Sequence, residues 1–123
     1  MGLTIASPSF VIAGNDAIVL PSGLVGYLQE VVTQNTGGGA IYRYRFVAPD
    51  FSNAGELETI TADLEHLCAE EALPNLPNTA ADGTQIVVSL SDAPSEFGVA
   101  TPEVRQVFEA FRVENSRCIW EEF

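Results

Sequence analysis

The sequence predicts an α+β fold, an antiparallel-rich sheet of five to six strands with one long and one short helix on one face. Three observations carry that expectation. Two runs of β-branched and aromatic residues flank a glycine-rich joint, one long segment shows helical periodicity, and the C-terminal segment alternates apolar and polar residues around a turn. At 123 residues the chain is long enough for one domain and too short for two. Residues 1–8 are expected to be a flexible N-terminal extension of a single domain spanning residues 1–123.

Each element has a local cause. Phe10–Ala13 and Ala17–Leu20 read as short strands separated by the turn Gly14-Asn15-Asp16. Leu24–Thr33 and Ala40–Val47 read as a hairpin around Gln34–Gly39. Pairing Thr33 with Ala40 sets Glu30 opposite Arg43, Val31 opposite Tyr42 and Tyr27 opposite Phe46. One face then holds Tyr27, Val31, Tyr42, Tyr44 and Phe46, and the other Glu30, Arg43 and Arg45. From Leu57 to Ala72 the residues Leu57, Ile60, Leu64, Leu67 and Cys68 form one helical stripe, and Pro74 ends the helix. Gln85–Ser91 is a buried strand. Thr101-Pro102-Glu103 offers a cap, a first-turn proline and an acid, which predicts a short helix with Val104, Val107 and Phe108 inward. Ala110–Phe123 predicts a terminal hairpin turning at Asn115-Ser116, with Phe111, Val113, Cys118 and Trp120 on one face; continuation of the short helix through Phe111 is the competing expectation.

Charge narrows the function classes. Seventeen acids stand against five arginines, there is no lysine, and the net charge is −12. Such a surface repels phosphate backbones and anionic head groups, so neither nucleic acid nor a membrane is an expected partner. Without lysine there is no Schiff base and no P-loop cation. No run of residues reaches the roughly 18 apolar positions that a membrane span requires.

Cys68 lies on the apolar helix stripe and Cys118 on the face shared with Trp120. The pattern predicts a disulfide between them, with two buried free thiols as the alternative. A Cys68 thiol activated by His66 is excluded, because residues two apart on a helix point about 200° away from each other. Asp63, His66 and Glu70 follow a second stripe and could in principle ligate a divalent ion. The expected reading is a solvated acidic face with no metal, since no second histidine exists. Arg43 and Arg45 could clamp a carboxylate or phosphate, but cross-strand pairing with Glu30 and other acids is the favoured reading. Gly37-Gly38-Gly39 is no phosphate loop, because a strand follows it. No catalytic, cofactor-binding or metal-binding residue is predicted.

Five strings resemble a family of small uncharacterised bacterial proteins: Tyr44-Arg45-Phe46-Val47-Ala48-Pro49, Leu67-Cys68, Ile86–Asp92, Glu96-Phe97-Gly98 and Cys118-Ile119-Trp120-Glu121. The likeness runs from Leu20 onward. It implies an export signal and a two-cysteine core, and brings no known activity. Some relatives carry an acetolactate synthase label, but a thiamine-diphosphate enzyme needs a far longer chain and a Gly-Asp-Gly motif, where this chain has only Asp82-Gly83.

The function expected is a non-catalytic protein-binding or accessory module, periplasmic or secreted, with Met1-Gly2 a vector-derived remnant on a mature chain. Tyr42, Tyr44, Arg43, Arg45, Asp63 and Glu70 are its candidate interaction surface, with Tyr42 and Tyr44 taken as exposed. The alternative is a cytoplasmic acidic inhibitor or immunity-type protein that occupies a basic site on its target. A small enzyme of unknown reaction stands third.

Overall fold

The computed structural model describes residues 16–52, 55–77 and 80–121. Six strands lie in sequential order: β1 (Ile18–Val19), β2 (Val25–Thr36), β3 (Gly39–Val47), β4 (Gln85–Ser91), β5 (Gln106–Glu114) and β6 (Arg117–Trp120). The sheet is mixed and curls into half a barrel. All neighbours are antiparallel except β3 and β4, which run parallel. A parallel pair cannot be closed by a tight turn, so the chain must cross over between them. The crossover is helical. α1 (Leu57–His66) continues through a π-helical segment (Leu67–Ala72) and a 3-10 turn (Leu73–Asn75), 19 residues in all.

That helix covers one face of the sheet. Leu64, Leu67, Cys68 and Ala72 pack on Tyr44 and Phe46 of β3, Ile86, Val88 and Leu90 of β4, and Phe111 and Val113 of β5. The predicted stripe is therefore correct from Ile60 onward. Leu57 opens the helix before it reaches the sheet and stays 75% exposed. Pro74 lies in the closing 3-10 segment, and the helix ends one residue after it at Asn75.

The disulfide joins Cys68 to Cys118, with Cα atoms 6.3 Å apart. It ties the π-helical segment to β6 at the sheet edge. The terminal hairpin also forms as expected: Asn115 and Ser116 have φ of 53° and 59°, the left-handed pair that a two-residue hairpin turn requires. Val113 pairs with Cys118 and Phe111 with Trp120.

Two expectations fail. The short helix after Thr101 does not form, and the described residues hold one helix rather than two. Thr101-Pro102 starts only a single turn, closed by Val104 N–H donating to the Thr101 carbonyl at 3.0 Å. From Gln106 the chain pairs with β4 along seven positions. A cap worth about 1 kcal/mol does not compete with that ladder of β-branched and aromatic residues. Val107 and Phe108, both assigned inward on a helix, consequently point to opposite faces, and Phe108 is 67% exposed.

The second failure is the hairpin register. Glu30 lies opposite Arg45, Val31 opposite Tyr44, Thr33 opposite Tyr42 and Asn35 opposite Ala40, two residues from the predicted pairing. The strands run closer to the tip than expected, with only Gly37 and Gly38 between Thr36 and Gly39. A two-residue shift keeps each side chain on its face. Between Leu28 and Glu30 a bulge then inserts Gln29, so Leu28 rather than Tyr27 faces Phe46. The predicted N-terminal extension and the Phe10–Ala13 strand lie outside the described residues.

Gly26 permits the close approach of β2 to the end of β3. A Cβ added there would sit 2.6 Å from the Val47 carbonyl oxygen, and that oxygen belongs to a buried backbone. Gly26→Ala should destabilise the fold by about 1–3 kcal/mol, read as a lower urea midpoint with unchanged m-value; an unchanged midpoint contradicts the packing described for this corner.

Candidate functional site

Strand β3 alternates aromatic and cationic residues, and the alternation sorts them to opposite sides. Tyr42, Tyr44 and Phe46 face α1, whereas Arg43 and Arg45 face away from it. On that uncovered side the loop after β4 folds back over the sheet. It forms a cleft of about 350 Å³ whose floor is Arg43, Arg45, Val87, Ser89 and Phe108, and whose wall is Ser95–Ala100.

Arg45 is buried and serves the wall. Its Nη1 donates to the Ser95 carbonyl and its Nη2 to Ser95 Oγ, both at 3.1 Å. The same guanidinium pairs with Glu30 Oε2 across the strands. Gln29, the bulged residue, adds a third tie, donating from Nε2 to the Ser95 carbonyl at 2.8 Å. A bulge often re-aims one side chain, and here it directs Gln29 to the loop. Beyond Ser95 the chain turns at Gly98, whose φ of +82° a side chain would disfavour. The turn holds the Phe97 ring over both guanidinium carbons, 5.7 Å from Arg43 Cζ and 5.6 Å from Arg45 Cζ. These are cation–π distances.

Arg43 differs from Arg45. Because the register places Val32 opposite it, its partner is a neutral amide: Nε donates to Gln34 Oε1 at 2.5 Å. Among the described residues no carboxylate makes an ion pair with Arg43. The cleft therefore presents a cation under an aromatic ring in a chain of net charge −12.

The six candidate interaction residues do not share one surface. Tyr44 is 5% exposed and belongs to the core, and Tyr42 is half-buried beside it. Burial, followed by the neighbouring Tyr42, pushes the Tyr44 phenol above its ordinary range. The sequence does not say which face of β3 the helix covers, and burial of Tyr44 corrects the expectation that both tyrosines are exposed. Asp63 is 2% exposed and not part of a solvated face. Its Oδ1 accepts from Ser22 N–H at 3.0 Å and its Oδ2 from Ser22 Oγ at 2.6 Å, clamping α1 to the turn before β2. His66 is half-buried and Glu70 exposed. Turned to Ser22, the Asp63 carboxylate is not directed into a common ligand set with them. Phe97, Ser95 and Gln29 were not singled out as site residues, although Phe97 lies in one of the family-like strings.

A model of a family of unknown function, DUF6497, matches residues 5–123. The chain belongs to that family. The matched span contains every residue of the Arg43–Phe97 cleft and both cysteines. No curated protein and no solved structure matches the chain. DUF6497 membership extends the family resemblance in the sequence to nearly the whole length, and the cleft is a feature of this member's fold.

The lining combines two arginines and Glu96 with apolar and aromatic side chains and the hydroxyls of Ser89 and Ser95. Ser95 Oγ accepts from Arg45, and no carboxylate or imidazole hydrogen-bonds Ser89 or Ser95. The one histidine of the chain, His66, rides on α1 across the sheet. A serine nucleophile would need a base within hydrogen-bond reach.

The Asp63–Ser22 clamp makes a direct prediction. Hydrogen bonds to a charged group contribute roughly 1.5–3 kcal/mol each, so Asp63→Ala should lower stability by about 2 kcal/mol or more. Glu70→Ala, on the exposed side of the same helix, should stay within about 0.5 kcal/mol of wild type. Equal effects in chemical denaturation would contradict the assignment of Asp63 to the core.

Proposed function

We propose that this DUF6497 protein is a non-catalytic binding module that works outside the cytoplasm and holds a partner protein through the Arg43–Phe97 cleft. The observation that carries the reading is the unequal use of the two arginines. Arg45 is consumed in fixing the wall, whereas Arg43 is left facing the opening with a neutral partner. Arg45, the buried guanidinium, has its carboxylate in Glu30, whereas among the described residues the half-buried Arg43 has none although the chain is so acidic.

Export is supported by the Cys68–Cys118 bond, since disulfides persist in oxidising compartments and are rare in the cytosol. The bond encloses a separation of 50 residues, which in the loop-entropy model contributes about 4 kcal/mol. The same bond weighs against the cytoplasmic inhibitor reading, in which the acidic stretch from Asp50 to Glu103, the helix included, would be the working surface.

Two measurements test the proposal. Alkylation of thiols in intact host cells, followed by mass spectrometry, should find Cys68 and Cys118 unmodified and linked; free thiols in the cell contradict placement outside the cytoplasm. Affinity capture with wild-type protein should recover a partner that is lost with Arg43→Gln/Phe97→Leu and kept with Glu70→Ala/Glu71→Ala. The reverse pattern would transfer the working surface to the acidic helix.

A further inference from the structure

We propose that the group recognised in the cleft is a monocarboxylate carried on an apolar body, bound through the guanidinium of Arg43. The proposal rests on the reading of the cleft as the binding surface and names its ligand chemistry.

Arg43 sets the charge of the ligand. Arg45 is neutralised by Glu30, and Glu96 also borders the opening. With Glu96 counted, the four charges sum to zero, and Arg43 is the cleft cation that makes no ion pair among the described residues. A carboxylate matches Arg43 in charge, whereas a phosphate dianion carries one charge more; the net charge of −12 opposes both anions and the dianion more strongly. The geometry agrees. Arg43 spends Nε on Gln34 and lies at 5.7 Å from the Phe97 ring, so its two Nη groups offer the planar fork that a carboxylate accepts in bidentate fashion.

The lining sets the rest of the ligand. Val87, Phe97, Val99 and Phe108 border the opening, and Phe97, Val99 and Phe108 are large apolar residues left exposed. The polar lining beside the two arginines is Ser89 on the floor, Ser95 and Glu96 on the wall and Gln106 at the rim. Apolar and aromatic walls with a few placed charged and polar groups are the usual form of a small-ligand or side-chain pocket. The body attached to the carboxylate is therefore aromatic or aliphatic. A free apolar acid and the C-terminal residue of a polypeptide share this chemistry, and the test separates them.

The probes are phenylacetate, N-acetylphenylalanine, N-acetylphenylalanine amide and inorganic phosphate, each titrated into the full chain with its disulfide intact and followed by amide chemical shifts. Both acids should move the signals of Arg43, Val87 and Phe97 saturably, and the neutral amide should not. Tighter binding of N-acetylphenylalanine assigns the site to a polypeptide C-terminus, and tighter binding of phenylacetate to a free acid; either result supports the proposal. Arg43→Gln should weaken the acids about tenfold or more, with Arg43→Lys in between because it keeps the charge and loses the fork. Unchanged spectra outside the cleft establish that each variant is folded, and Phe97→Leu provides a second variant at the opposite wall. Equal binding of acid and amide overturns the proposal. Shifts caused by phosphate and not by the acids also overturn it. Absence of any cleft response overturns it as well, and a partner capture that still depends on Arg43 would then leave the binding-module reading standing alone.

Discussion

The parallel pairing of β3 with β4 is the constraint on which the other features depend. Parallel neighbours force a long crossover, and the crossover carries the single helix. Once α1 lies over Tyr44, Phe46 and Leu90, the alternation of β3 decides the rest. Aromatic side chains enter the core and both arginines are turned to the uncovered face, where the loop from Ser95 to Ala100 completes a cleft around them. The same crossover places Cys68 within bonding reach of β6 and Asp63 within reach of Ser22. Helix, edge strand and first turn are thereby fastened at separate points.

Part of this was legible in the sequence because it is local. The helix stripe over Ile60, Leu64, Leu67 and Cys68, the strand Gln85–Ser91 and the Asn115-Ser116 turn each follow from periodicity or turn chemistry within a few residues. Two of the failures are non-local and the third lies in an ambiguous turn. Thr101-Pro102 carries a sound helix start, but β4 offered the following residues a partner strand that no local signal announces. Asp63 looked solvated because its one partner, Ser22, lies 41 residues away. The hairpin register was displaced by two residues because Gly37–Gly39 sets no unique turn, and the two-residue step preserved the faces while changing every cross-strand partner.

That displacement reaches the candidate site. With Glu30 opposite Arg43, each would have neutralised the other and Arg45 would have been left for the loop. In the structure Glu30 meets Arg45, the more buried of the two guanidinium groups, where an unpaired charge would be costly. Arg43 keeps a neutral partner and an aromatic neighbour. The sequence could show that two arginines share a face; which one is structural and which one is available depends on register and on Ser95, a residue 50 positions from Arg45.

The central claim, that Glu30 serves Arg45 and leaves Arg43 available, is tested most directly by double-mutant cycles on folding stability. Glu30→Gln combined with Arg45→Gln should be non-additive, with a coupling of about 1–2 kcal/mol, as expected for two groups in one part-buried network. Glu30→Gln combined with Arg43→Gln should be additive within about 0.5 kcal/mol. A coupling energy that appears in the Arg43 cycle and vanishes in the Arg45 cycle would contradict the register, the division of labour between the arginines and the cleft built on it.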